Sequence, residues 1–163
     1  MVRNYLLLLQ YLALVIVFGC MPRASNLVGG VRPVDPSIKP KIALVSDNRL
    51  TDAVGTELFI RGFTIIERLR LLSVLREKSL QLSGITDEQL IEAGKILNVD
   101  ALMFIDAERV EFGDIHNAYI KIVDVQSGII IGSFNYQNGR GPLKDTPHEA
   151  AKKISDAINR GYK

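Results

Sequence analysis

The stretch TDEQLIEAGKILNVDALMFIDAE, residues 86–108, decides the fold. Thr86 with Gln89 three residues on forms a capping box: each side chain satisfies a backbone N–H left open at a helix start. Leu90, Ala93, Gly94 and Leu97 then share one helical face. After a short break, Asp100 to Glu108 reads as a central strand, apolar on both faces in its first half. A capped helix that feeds directly into a doubly apolar strand belongs to a layered α/β domain rather than to a bundle or a sandwich.

The same pattern extends in both directions. KIALVSD (Lys41 to Asp47) is a short apolar run suited to a buried strand. Leu50, Val54 and Leu58 recur every four residues, which makes a helix from Leu50 to about Arg61, ended by Gly62. FTIIER (Phe63 to Arg68) is short and β-branched, hence a strand. Leu71, Leu72 and Leu75 line a helix running to about Ser79. Downstream, Asn117 to Val125 and Ile129 to Tyr136 form a hairpin through Gln126-Ser127-Gly128, with the glycine supplying a positive φ. Thr146-Pro147-His148-Glu149 opens a last helix with a threonine cap, a first-turn proline and a glutamate reaching back. Ala150, Ile154, Ala157 and Ile158 form its buried face. The resulting order is β-α-β-α-α-β-β-β-α, an α/β fold with a mixed sheet flanked by helices.

Bulk properties exclude several classes of function. The 163 residues suffice for one domain of ordinary size. A net charge of +2, with Lys and Arg dispersed, gives no nucleic-acid signature. The single cysteine rules out an internal disulfide. His116, His148 and that thiol make a poor set of metal ligands, and neither metal nor cofactor is expected.

The thiol sits at a telling place. Arg3 gives a short positive region, and Tyr5 to Gly19 is apolar except for Gln10, too short to span a bilayer comfortably. The run ends Val17-Phe18-Gly19-Cys20, which resembles the bacterial lipoprotein signal, in which cleavage precedes a cysteine that then carries acyl chains. The resemblance implies a signal peptide over residues 1–19 and lipidation at Cys20, palmitate among the acyl groups. Each buried methylene contributes about 0.8 kcal/mol, so several chains hold firmly to a membrane. Residues 20–40, rich in Gly and Pro, read as a lipid-anchored flexible tether, and residues 41–163 as the folded domain. Met21 after the cysteine, rather than aspartate, points in enteric-type sorting to the outer membrane, with the domain facing the periplasm.

Three segments carry a family resemblance. Glu67-Arg68 at the end of a strand, the Gln81 to Gly84 turn between Leu-rich helices, and Asn98 to Ala101 opening the central strand are similar to the middle of the CsgG family of curli secretion lipoproteins. IKIVDVQSGIIIGSF (Ile120 to Phe134) resembles that family's hairpin. The fold type recurs in the penicillin-binding-protein activator LpoB and in the N-terminal domain of TolB, so fold alone does not fix function. Curli secretion members add two membrane-spanning hairpins, each needing roughly 20 residues. Here the corresponding connections are RVEFGDIHN (Arg109 to Asn117) and QNGRGPLKD (Gln137 to Asp145), short and polar. This chain is expected to lack the transmembrane barrel.

Catalytic constellations are sparse. Asp47, Asp100, Asp106 and Asp124 lie at strand ends or edges, where carboxylates cap turns. Ser46 and Ser133 lack a nucleophile-elbow context. His148 falls in the first turn of a helix, NYQNGRG (Asn135 to Gly141) reads as an ordinary strand-to-helix connection, and Arg68 to Lys78 reads as a core-packed helix with a solvated face. The expectation is a non-enzymatic envelope lipoprotein: a membrane-anchored assembly or accessory module of an outer-membrane-associated secretion, curli-like or flagellar machine, with protein partners and self-association. The alternative is an LpoB-like regulator of a peptidoglycan synthase. A tether of about 20 residues, at most roughly 70 Å long, is short for reaching through the cell wall.

Overall fold

The computed structural model describes residues 23–77, 85–109 and 115–162. The expected signal peptide, Cys20, the Gln81 to Gly84 turn and residues 110–114 of the Arg109 to Asn117 connection lie outside the described residues. Six strands form one sheet: β1 (Asn26–Val31), β2 (Lys41–Leu44), β3 (Thr64–Ile66), β4 (Ala101–Arg109), β5 (Ile115–Asp124) and β6 (Ile130–Gln137). Among the described residues four helices flank it: α1 (Arg49–Ile60), α2 (Arg68–Glu77), α3 (Asp87–Ile96) and α4 (Pro147–Arg160). The strand order is β1-β6-β5-β4-β2-β3. β2, β3 and β4 run parallel, and β4, β5, β6 and β1 alternate in direction. The α/β fold and the mixed sheet are as expected, and the order from β2 onward is the expected one.

One strand departs from expectation. Asn26–Val31 lies inside the segment read as a flexible tether, yet it pairs with β6 over its whole length, from Asn26 opposite Gln137 to Val31 opposite Gly132. The Gly and Pro content that argued against a sheet has another use. Gly29, at φ +141°, brings the backbone so close to β6 that a Cβ there would stand 2.1 Å from the Ser133 carbonyl oxygen, a geometry open only to glycine. The segment is also tied at both ends. Arg140 N–H donates to the Arg23 carbonyl at 2.7 Å, and Arg32 N–H to that of Ile131 at 2.6 Å.

Two apolar layers sandwich the sheet. On one face, α1 and α4 lay Leu50, Val54, Leu58, Ala150, Ile154 and Ile158 on the strands, all buried. Burying a side chain of this size contributes about 1.5–3 kcal/mol. Arg61, at the end of α1, reaches across to Asp156 of α4 at 2.7 Å and also pairs with Glu57. On the other face, α2 and α3 lay Leu71, Leu75, Leu90 and Ala93 on Ala43 and Leu102. Gly94 permits that contact: a Cβ there would meet Val125, Val99 and Leu102 at 3.1–3.3 Å. Both expected capping boxes form, Thr86 with Gln89 and Thr146 with Glu149. Asn98, at φ +50°, is the left-handed residue that closes α3 before β4.

Candidate interaction surfaces

The sequence-level candidates are not gathered into one place. Asp47 pairs with Arg68 at 2.9 Å. Asp100 accepts the Lys41 N–H at 2.7 Å and so joins the starts of β2 and β4. Asp124 accepts both the N–H and the hydroxyl of Ser127 and shapes the hairpin turn. Asp106 is exposed on the sheet opposite Tyr119. The Ser46 hydroxyl accepts the Ile105 N–H at 2.8 Å. His148 is exposed, its Nδ1 3.7 Å from Glu57. Each of these carboxylates and the serine therefore has a structural task where it stands, apart from Asp106. Among the described residues no group of three or more His, Cys, Asp or Glu could hold a metal ion, and no helix is long and apolar enough to cross a membrane.

The connection from β6 to α4 holds a buried network that local sequence does not announce. The Asn138 amide donates to the carbonyls of Ile115 (2.8 Å) and Asp145 (3.0 Å). Its oxygen accepts from the N–H groups of Gly139 and Asp145 and from the Tyr136 hydroxyl. The single Tyr136 hydroxyl proton is shared with the Asp145 carboxylate at 2.8 Å, and Lys153 grips both carboxylate oxygens at 2.7 Å and Ser25 besides. Burial raises the Tyr136 pKa, and the neighbouring Asp145 raises it further. Burial works against the Asp145 charge as well, but hydrogen bonds from Lys153, Ser25 and Tyr136 outweigh it and hold its pKa below the usual value. The network fixes this loop and locks the start of β1 to it. Only the density of Asn, Gly and Asp in the segment hints at it.

What the fold leaves open is more informative. The helices α2 and α3 cover β2 and the start of β4, and their layer stops at Lys121. That side chain stacks over the Phe104 ring at 4.3 Å and reaches Asp87, at the start of α3, at 3.1 Å. Beyond it, no described element covers the same face of β5, β6 and β1: Tyr119 is 56 % exposed and Val28 62 %. The far edge of the sheet, at β3, is open too. A groove of about 680 Å³ runs there between α1 and α2, flanked by Phe59 (68 % exposed) and Leu69 (72 % exposed). Exposed apolar groups set beside an unpaired strand edge mark surfaces that bind other chains.

No model of a known protein family matches the chain, and no curated protein sequence matches it. Solved structures do. A point variant of PelC from Paraburkholderia phytofirmans, a dodecamer in its crystal, superposes with a TM-score of 0.53 at 11% identity, covering 83% of this chain and 96% of that one. A second crystal form of the PelC dodecamer gives 0.50 at 10% identity, with 84% and 96% covered. This likeness is one of fold. The C-terminal domain of LpoB from Escherichia coli (TM-score 0.48, 15% identity, 64% and 85% covered) and lipoprotein GNA1162 from Neisseria meningitidis (0.49, 15%, 73% and 94%) match more weakly.

Proposed function

We propose that this chain is a bacterial envelope lipoprotein, held to the outer membrane by acyl chains on Cys20. Its α/β domain serves as a non-catalytic assembly or accessory module of a secretion-type machine. The observation that carries the reading is the incomplete cover of the sheet, which among the described residues leaves part of one face, with Tyr119 and Val28, and both edges open. A domain with that arrangement offers contact area to other chains. The lipobox-like Val17 to Cys20 run supports the anchor, and the segments around Glu67, Asn98 and Ile120 support kinship with the CsgG family. The fold shared with PelC, itself a dodecamer, supports self-association.

The anchor has a direct test. Wild-type cells fed a radiolabelled fatty acid should yield labelled mature protein, and Cys20→Ala should yield unlabelled precursor. Label retained on Cys20→Ala, or an unlabelled wild type that begins at another residue, overturns the anchor.

A further inference from the structure

We infer that the two outer edges of the sheet are complementary halves of one head-to-tail contact, so that β1 of one copy adds to β3 of the next. The inference rests on the self-association just proposed and names the surfaces that would produce it.

Direction comes first. β3 runs parallel to β2 and β4, whereas β1 runs antiparallel to β6 and hence opposite to β3. A neighbouring copy in the same orientation therefore presents its β1 antiparallel to β3, the arrangement of the more stable hydrogen-bond ladder.

Register comes second. Leu27 of β1 and Ile65 of β3 both pack into the α1/α4 layer, and Ile66 into the α2/α3 layer. Setting Leu27 opposite Ile65 puts Val28 opposite Thr64 and Asn26 opposite Ile66. Every residue then keeps its own face, as a side-chain period of two requires. The exposed Leu69 of α2 then extends the apolar surface on the face kept by Val28, and the exposed Phe59 of α1 that on the face kept by Leu27.

Charge comes third. The groove at the carboxyl end of β3 carries Asp47, Asp52 and Glu67 against Arg68 alone. In the antiparallel setting the amino end of β1 arrives there, preceded by Arg23, and the segment Arg23 to Arg32 holds no acidic residue. Because the two edges differ, the contact is heterologous: it propagates from copy to copy into a ring or a filament and does not stop at a dimer.

The test uses the full chain in its membranes. Within one copy, residues 28 and 64 lie five strand spacings apart, about 24 Å, beyond any disulfide. The double variant Val28→Cys/Thr64→Cys should therefore give, on oxidation, a ladder of linked multimers, while each single variant runs like wild type. Glu67→Arg should reduce the ladder about threefold, the scale of an exposed ion pair, and adding Arg23→Glu should restore it. No ladder from the double variant overturns the inference, as does a dimer from either single variant, which would mean like edges pairing. Native mass spectrometry of the wild type separates the two readings. Multimers without the Val28–Thr64 link discard this contact but keep self-association, whereas monomers discard both.

Discussion

The two faces of the sheet are built to different standards. The face under α1 and α4 is covered from β3 to β1, and Ile154, Ile158, Tyr136 and Phe134 all lie buried in it. Among the described residues the opposite face is covered over β2, the start of β4 and the end of β5, where Val125 is buried, and from Lys121 outward it meets solvent with Tyr119 and Val28. A chain that buries one face throughout and leaves half of the other open divides its sequence between holding itself together and presenting a surface. Substitutions should sort by that division.

The largest effect belongs to the covered face. Ile154→Ala should lower unfolding stability by about 2–5 kcal/mol, read by chemical denaturation, whereas Tyr119→Ala on the bare face should cost about 1 kcal/mol or less. Equal losses at the two sites would erase the distinction. Next comes the network that locks β1 to the β6–α4 connection. Asn138→Ala leaves several buried groups without partners and should cost about 2–3 kcal/mol.

A smaller effect follows pH. Tyr162 packs edge-to-face on Phe63, with ring centroids 5.4 Å apart. Burial, together with Asp100 and Asp124, pushes its pKa up to about 12. A phenol pKa raised in the folded state gives stability that is full below the unfolded value of about 10 and is lost as pH climbs from there toward the folded value. Wild type should therefore lose stability above about pH 10, and Tyr162→Phe should remove part of that slope, the remainder belonging to Tyr136, whose pKa burial also raises.

Most of the covered architecture was legible in sequence because it rests on local signals. Capping boxes at Thr86 and Thr146, the four-residue spacing of Leu50, Val54 and Leu58, and the turn at Gly128 each state their structure within a few residues. β1 was not legible. Its strand character comes from a β6 edge more than a hundred residues away, while its own Gly29-Gly30 pair speaks for a loop. The Asn138 network was hidden for the same reason: its partners at Ser25, Ile115 and Lys153 are distant in sequence. The open half-face could not be read from β5 and β6 alone, since alternation shows which side chains share a face but not whether a helix covers it.

The most direct measurement is chemical crosslinking in intact cells, followed by mass spectrometry of what co-purifies with the chain. The expected result is a set of crosslinks from the bare half-face and the sheet edges to further copies of this chain and to envelope proteins. A chain that is recovered alone, or one crosslinked only through the outer surfaces of α1 and α4, would contradict it.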